Sequence, residues 1–74
     1  MKNVKRIPLQ KLIWCKIRYY QQLRDISNQL LSETLGVSER TLKEYDKDAC
    51  NITLEKIDRF LAAYNMTLTE LVSQ

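Results

Sequence analysis

This chain of 74 residues contains a single glycine, Gly36, and its surroundings leave few folds open. An apolar run (Leu30, Leu31, Leu35) precedes it, and Val37 and Ser38 follow. A helix that ends on a residue at positive φ favours glycine there, because no Cβ meets the following carbonyl. A hydroxyl suits the entry to the next helix, and Ser38 is placed to cap the free N–H groups of a turn beginning at Glu39. Ser27 is placed to do the same one helix earlier. Leu31, Leu35, Val37, Leu42 and Tyr45 fall at spacings that point from both helices towards one seam. Ser32 is small, as the closest helix crossing requires. The stretch 27–45, SNQLLSETLGVSERTLKEY, has the pattern of a helix-turn-helix, with 39–45 as the candidate recognition helix.

The rest of the chain is read around that stretch. One Gly and one Pro in the whole sequence argue for helices rather than short strands joined by turns. A chain this short buries only ~60% of its unfolded surface, so it makes one small domain with a single core. With 45% apolar and 28% charged residues it is globular. No apolar run approaches the ~18 residues of a membrane span, and no apolar stretch follows the basic N-terminus as in a signal peptide. The expectation is a cytoplasmic protein without a membrane segment. The division expected is a basic flexible arm at 1–7 and one domain at 8–74. A start at Met1 and an end two residues past the last helix read as a complete small protein.

In chain order, Pro8 suits the first turn of a helix, where its missing N–H is not needed. Leu9, Leu12, Ile13, Ile17, Tyr20 and Leu23 recur at helical spacing, predicting a first helix over 8–23. Trp14 lies off that stripe and either covers the core's edge or sits in an interface. Residues 46–52 lack apolar periodicity and read as a loop. Thr53 then opens a helix with Glu55 in its first turn and Leu54, Ile57, Phe60, Leu61 and Tyr64 as its buried stripe. Asn65 ends it, being tolerant of the left-handed conformation. Thr67 caps a last short helix whose apolar side is Leu68, Leu71 and Val72. The fold class expected is all-α, a compact bundle of five short helices.

The net charge of +3 is unevenly spread. Residues 1–24 hold seven cations (Lys2, Lys5, Arg6, Lys11, Lys16, Arg18, Arg24) and no acid; from Asp25 onward five cations face nine acids. A basic arm and first helix are what a phosphate backbone attracts, although a solvated basic face alone would also serve solubility.

From Ile13 to Val72 the chain resembles, without a gap, the Cro and lambda-repressor-like helix-turn-helix family, often called XRE-type. Ile17, Tyr20 and Ile26 stand at positions the family fills with apolar residues, and LGVS at 35–38 is similar to its turn. Thr41 and Leu42 continue into the recognition helix as the family pattern expects. Asp46 falls where the family usually has Glu, and TLEKIDRFLAAYNMTLTEL is similar to its last two helices. Asp25, Asp48 and Asn65 stand where the family often has glycine, and Asx residues accept positive φ better than other types. Ser32 stands for the usual Ala and Ile52 for a common Pro. Gln21 stands where the first helix often has Arg, so a structural charge pair the family uses is expected to be lost.

The resemblance implies a DNA-binding transcriptional regulator, a small phage- or mobile-element-type repressor acting as a homodimer on double-stranded DNA. It implies that Asn28 and Gln29, at the start of the first motif helix, contact the phosphate backbone. The exposed side of the recognition helix comprises Ser38, Glu39, Arg40, Lys43, Glu44 and Lys47. Arg40 suits a bidentate contact to guanine or a phosphate, and Lys43 a base edge or the backbone. Glu39 either accepts from cytosine N4 or serves the helix dipole and points aside. Glu44 is read as solvent-facing or paired with Arg40 or Lys47. Lys2, Lys5 and Arg6 complete the basic set.

Catalysis has little support: the chain has no His, no glycine-rich phosphate loop and no paired carboxylates in an apolar context. Cys15, expected buried or half-buried, and Cys50, expected exposed in a loop, lack metal-site spacing and read as free thiols. No cofactor and no metal are expected. The competing reading is a protein-interaction module on the same fold, such as an antitoxin, an antirepressor or a small complex subunit. The two acids on the recognition helix, off-stripe Trp14 and an outward Leu30 favour it. For self-association the last helix (Leu68, Leu71, Val72) is the first candidate and the turn at Leu9 and Leu12 the second, with core packing the plainer reading of both.

Overall fold

The structure is a computed structural model that describes residues 7–73. The proposed arm and its cations Lys2, Lys5 and Arg6 lie outside the described residues. Five α-helices follow one another: α1 (Leu9–Leu23), α2 (Asn28–Leu35), α3 (Glu39–Lys47), α4 (Leu54–Ala63) and α5 (Leu68–Val72). A single 3-10 turn, Ala49–Asn51, lies between α3 and α4, and no strand occurs among the described residues. No described helix is long and apolar enough to cross a membrane.

The helix starts follow their capping residues. Ser27, Ser38, Thr53 and Thr67 each accept a hydrogen bond from the backbone N–H three residues on, which satisfies a group the helix itself cannot. At α5 the cap is reciprocal: Glu70 accepts from the Thr67 N–H at 2.8 Å. Pro8 precedes α1 and offers no side-chain cap, so α1 begins at Leu9.

Three helix ends share one backbone solution. Asp25 (φ 55°), Gly36 (φ 75°) and Asn65 (φ 51°) all take the left-handed conformation. The next residue in each case donates back five positions: Ile26 to Gln21 O, Val37 to Ser32 O and Met66 to Leu61 O, at 2.9, 2.9 and 3.0 Å. Ile26, Val37 and Met66 then fold onto the core, the apolar contact that accompanies this type of helix end. Asp48 does not join them. Its φ is −157°, and its side chain instead accepts from the Cys50 N–H to open the 3-10 turn.

The core gathers Ile13, Ile17, Leu31, Leu35, Leu42, Phe60 and Leu71 at its most buried level. α1 packs against α5 and the 3-10 turn, while α2 packs against α3 and α4. Tyr20, Phe60 and Tyr64 form an aromatic cluster with centroids 4.9–5.8 Å apart.

Several sequence expectations are corrected. For Trp14 the core alternative holds rather than the interface one, and more fully than at the core's edge: it is only 3% exposed, with its ring edge-on to Tyr45 at 5.1 Å. The indole reaches inward because α1 is also covered on the side of the 3-10 turn, a second contact that one apolar stripe does not announce. Leu9, Leu12 and Leu23 are exposed because at 100° per residue they fall to one side of the Ile13, Ile17 and Tyr20 face, and Leu54, the first residue of α4, is exposed as well. Leu68 is exposed while Leu71 is buried, so the apolar side of α5 is divided. Cys15 is exposed, as is Cys50. The expected loop at 46–52 is mostly ordered, as α3 runs on through Lys47 and the 3-10 turn follows.

Candidate nucleic-acid interface

The turn between α2 and α3 is tight because three residues, Gly36, Val37 and Ser38, complete it. An ideal Cβ on Gly36 would lie 3.2 Å from Arg59 Cζ, so the absent side chain admits the α4 guanidinium as well as the positive φ. Ser38 caps α3 through the Thr41 N–H at 3.2 Å, and its hydroxyl lies 3.0 Å from Thr41 Oγ1. Of the expected contact residues, Ser38 therefore has its hydroxyl committed to the helix start.

From that start, Leu42 and Tyr45 face the core. Arg40, Lys43 and Lys47 are exposed at positions i, i+3 and i+7, which one face of a helix brings into line. Glu39 and Glu44, also exposed, fall to either side of that line at 100° per residue. None of these five side chains makes a hydrogen bond or ion pair with another described residue. The pairing considered for Glu44 with Arg40 or Lys47 is thus not formed, and Glu44 faces solvent. Burial, and after it the charge of Glu44, pushes the Tyr45 hydroxyl above its ordinary pKa.

The other end of α3 is fixed by a polar brace. Arg18 of α1 forks onto Asp46, Nε donating to Oδ1 at 3.0 Å and Nη2 to Oδ2 at 2.8 Å. Trp14 Nε1 donates to the same Oδ1 at 2.8 Å. Burial raises the Asp46 pKa, but the hydrogen bonds from Arg18 and Trp14 and the Arg18 charge outweigh it and hold the carboxyl below its ordinary value. Arg18 also lies 5.2 Å from the Trp14 ring centre, stacking the brace on the indole one helical turn away.

The brace continues to the start of α2. Arg18 Nη1 donates to Gln21 Oε1 at 2.6 Å and to Asn28 Oδ1 at 2.8 Å. Gln21 Nε2 donates to Asn28 Oδ1 at 2.9 Å and to the Ile26 carbonyl at 3.0 Å. A charge pair between the first helix and Asp46 is therefore present, contrary to expectation. Arg18 supplies its cation, and Gln21 relays it to the loop and to α2. Asn28, an expected phosphate contact, spends its carbonyl in this network, and its amide N–H groups have no partner among the described residues. Gln29 makes one long, exposed contact, Nε2 to Glu33 Oε2 at 3.4 Å.

Sequence reasoning missed Arg18, Gln21 and Trp14 as parts of the site. One signal pointed to them: an acid at position 46 asks for a cation on the first helix, and Arg18 lies four residues from Trp14. No family model, no curated protein and no solved structure matches this chain.

Proposed function

We propose that this chain is a helix-turn-helix protein of the Cro and lambda-repressor-like type, a sequence-specific transcriptional regulator. In this reading α2, the Gly36 turn and α3 form the motif, α3 enters the major groove, and a homodimer reads two half-sites about one helical turn apart. The observation that carries the reading is the row of Arg40, Lys43 and Lys47. The cations are exposed, have no partner among the described residues, and share one face of a helix held at both ends. A row of cations on a rigid helix is what base edges and phosphates require of a protein. Asn28, at the start of α2, offers its amide N–H groups to a phosphate. The acids beside the row narrow the tolerated sequences, because each disfavours a phosphate placed near it.

The test is enrichment of binding sites from a pool of random duplexes, followed by a salt titration on the enriched site. Arg40→Ala is expected to cost about 1–3 kcal/mol and to relax selectivity at one base pair. Lys47→Ala is expected to weaken all sequences alike and to lower the salt slope by about one. If no sequence is enriched and both variants bind as the parent does, the reading fails.

A further inference from the structure

The polar brace fixes more than the pose of α3: it decides which way the Asn28 amide faces. Arginine only donates hydrogen bonds, so the Gln21 atom that meets Arg18 Nη1 at 2.6 Å is the carbonyl oxygen Oε1. A backbone carbonyl only accepts, so the Gln21 atom 3.0 Å from the Ile26 oxygen is Nε2. The two assignments are independent and agree. Gln21 is buried, and both hydrogens of its amide are spent, one on Ile26 and one on Asn28.

Asn28 then has one orientation left. The atom it turns towards the brace meets two donors, Gln21 Nε2 at 2.9 Å and Arg18 Nη1 at 2.8 Å, and must be Oδ1. The opposite flip would set Nδ2 against both, donor to donor. Nδ2 is therefore held on the other side, and its two N–H groups have no partner among the described residues although Asn28 is exposed. Charge alone does not draw an anion there, because Asp25 and Asp46 line the same open cleft as Arg18 and Asn28. A fixed pair of neutral donors works differently: it selects an acceptor oxygen by direction, and its geometry is settled before the ligand arrives.

We propose that Gln21 is a positioning residue for phosphate recognition, acting through Asn28, whose amide it locks with both N–H groups turned to a phosphate oxygen of duplex DNA. This role rests on the DNA-binding reading of α3. Gln21 itself touches no phosphate. The link to α3 is short, since Arg18, which also holds Asn28 Oδ1, forks onto Asp46 in the last turn of that helix. The donors of Asn28 and the row of Arg40, Lys43 and Lys47 thus stand on one frame, and the phosphate contact sets the register in which the row meets the bases.

The probe is the duplex enriched from the random pool, with binding read by fluorescence anisotropy over a range of salt and urea unfolding measured on each variant. Asn28→Ala is expected to weaken every sequence about tenfold and to leave the salt slope unchanged, because a neutral donor releases no counterion. Asn28→Asp keeps an oxygen for Arg18 and Gln21 but turns a second oxygen outwards. It is expected to bind at least about tenfold weaker at undiminished stability. Gln21→Met, of similar length and without a donor, is expected to weaken binding about threefold in the parent and not at all in the Asn28→Ala background. Should Gln21→Met unfold, Gln21→Glu keeps the Arg18 bond, removes the donor to Asn28, and is expected to cost more in the parent than in the Asn28→Ala background. The proposal is overturned if Asn28→Ala or Gln21→Met binds as the parent does. It is also overturned if the Gln21 variant costs the same in both backgrounds, as a role in stability alone would. If Arg40→Ala relaxes selectivity while these variants bind normally, the proposal fails and the DNA-binding reading stands; if no duplex is enriched, both fail.

Discussion

At its amino end α3 is held by bonds that span three residues: the Ser38 hydroxyl accepts from the Thr41 N–H and lies within bonding distance of Thr41 Oγ1. At its carboxyl end Asp46 takes hydrogen bonds from residues 28 and 32 positions away in sequence. The first arrangement sets where the helix begins. The second sets the direction in which it points, because it ties the last turn of α3 to α1 and, through Arg18, Gln21 and Asn28, to the start of α2. Arg40 and Lys43 lie beside the locally capped start, so their direction in space depends on the brace at the other end, which ties the axis of α3 to α1.

The largest expected effect comes from removing the long-range end. Asp46→Ala leaves the buried Trp14 N–H without an acceptor, a loss of ~1–3 kcal/mol. The Arg18 pair is partly exposed to solvent and adds at most ~1 kcal/mol. Urea unfolding should therefore show a loss of about 2–3 kcal/mol. A loss near zero would mean that both ends of α3 are held locally. Asp46→Asn is expected to fall between parent and Ala, because it keeps an acceptor for Trp14 and drops the charge.

The same carboxyl gives the comparison a pH signature. Asp46 has a lower pKa folded than unfolded, so its pairing stabilises the fold at any pH above the ordinary carboxylate value of ~3.9. That contribution is lost as pH falls through the lower, folded value. Asp48 titrates with the same sign, through hydrogen bonds from the Cys50 side chain and backbone. Stability measured against pH should decline on the acid side in the parent and decline less in Asp46→Asn. The Ser38 cap carries no titrating group and should leave the profile unchanged.

What was legible in the sequence divides along the same line. The four hydroxyl caps and the positive φ of Gly36 and Asn65 are decided within a few residues of chain and were readable there, whereas the positive φ of Asp25 was expected only from the family resemblance. Asp48 misled because an Asx residue serves equally to end a helix at positive φ or to open a turn with its side chain, and composition does not separate the two. Helical periodicity correctly gave α1 its inner face, but it does not mark where that face ends. Leu9, Leu23 and Leu54 fit the pattern and lie open. On the candidate interface, the exposed row on α3 was readable from spacing alone. The brace behind it was not, because its donors and its acceptor meet only once α1 and α3 have packed.

Gly36→Ala probes the joint between the two regimes. A non-glycine residue in this conformation costs ~1–2 kcal/mol, and the new Cβ also obliges the Arg59 guanidinium, 3.2 Å away, to shift. Because the guanidinium is the far end of a flexible side chain, the backbone term should dominate. The loss should lie between those of Asp46→Ala and of the cap. If Gly36→Ala is instead the costliest of the three, the turn rather than the brace governs the pose of α3.

Ser38→Ala should cost least, about 1 kcal/mol, the usual consequence of removing a hydroxyl cap. Its value lies in combination with Asp46→Ala. If the two ends of α3 are independent, the double variant should lose the sum of the single losses to within ~0.5 kcal/mol, as separated sites do. Their supports share no residue: the cap uses Ser38 and Thr41, and the brace uses Trp14, Arg18, Gln21 and Asn28. A double variant that loses clearly less than the sum would show that fraying the start of α3 already releases its end. The helix would then move as one body, and the orientation of Arg40 and Lys43 would depend on the cap as much as on Asp46.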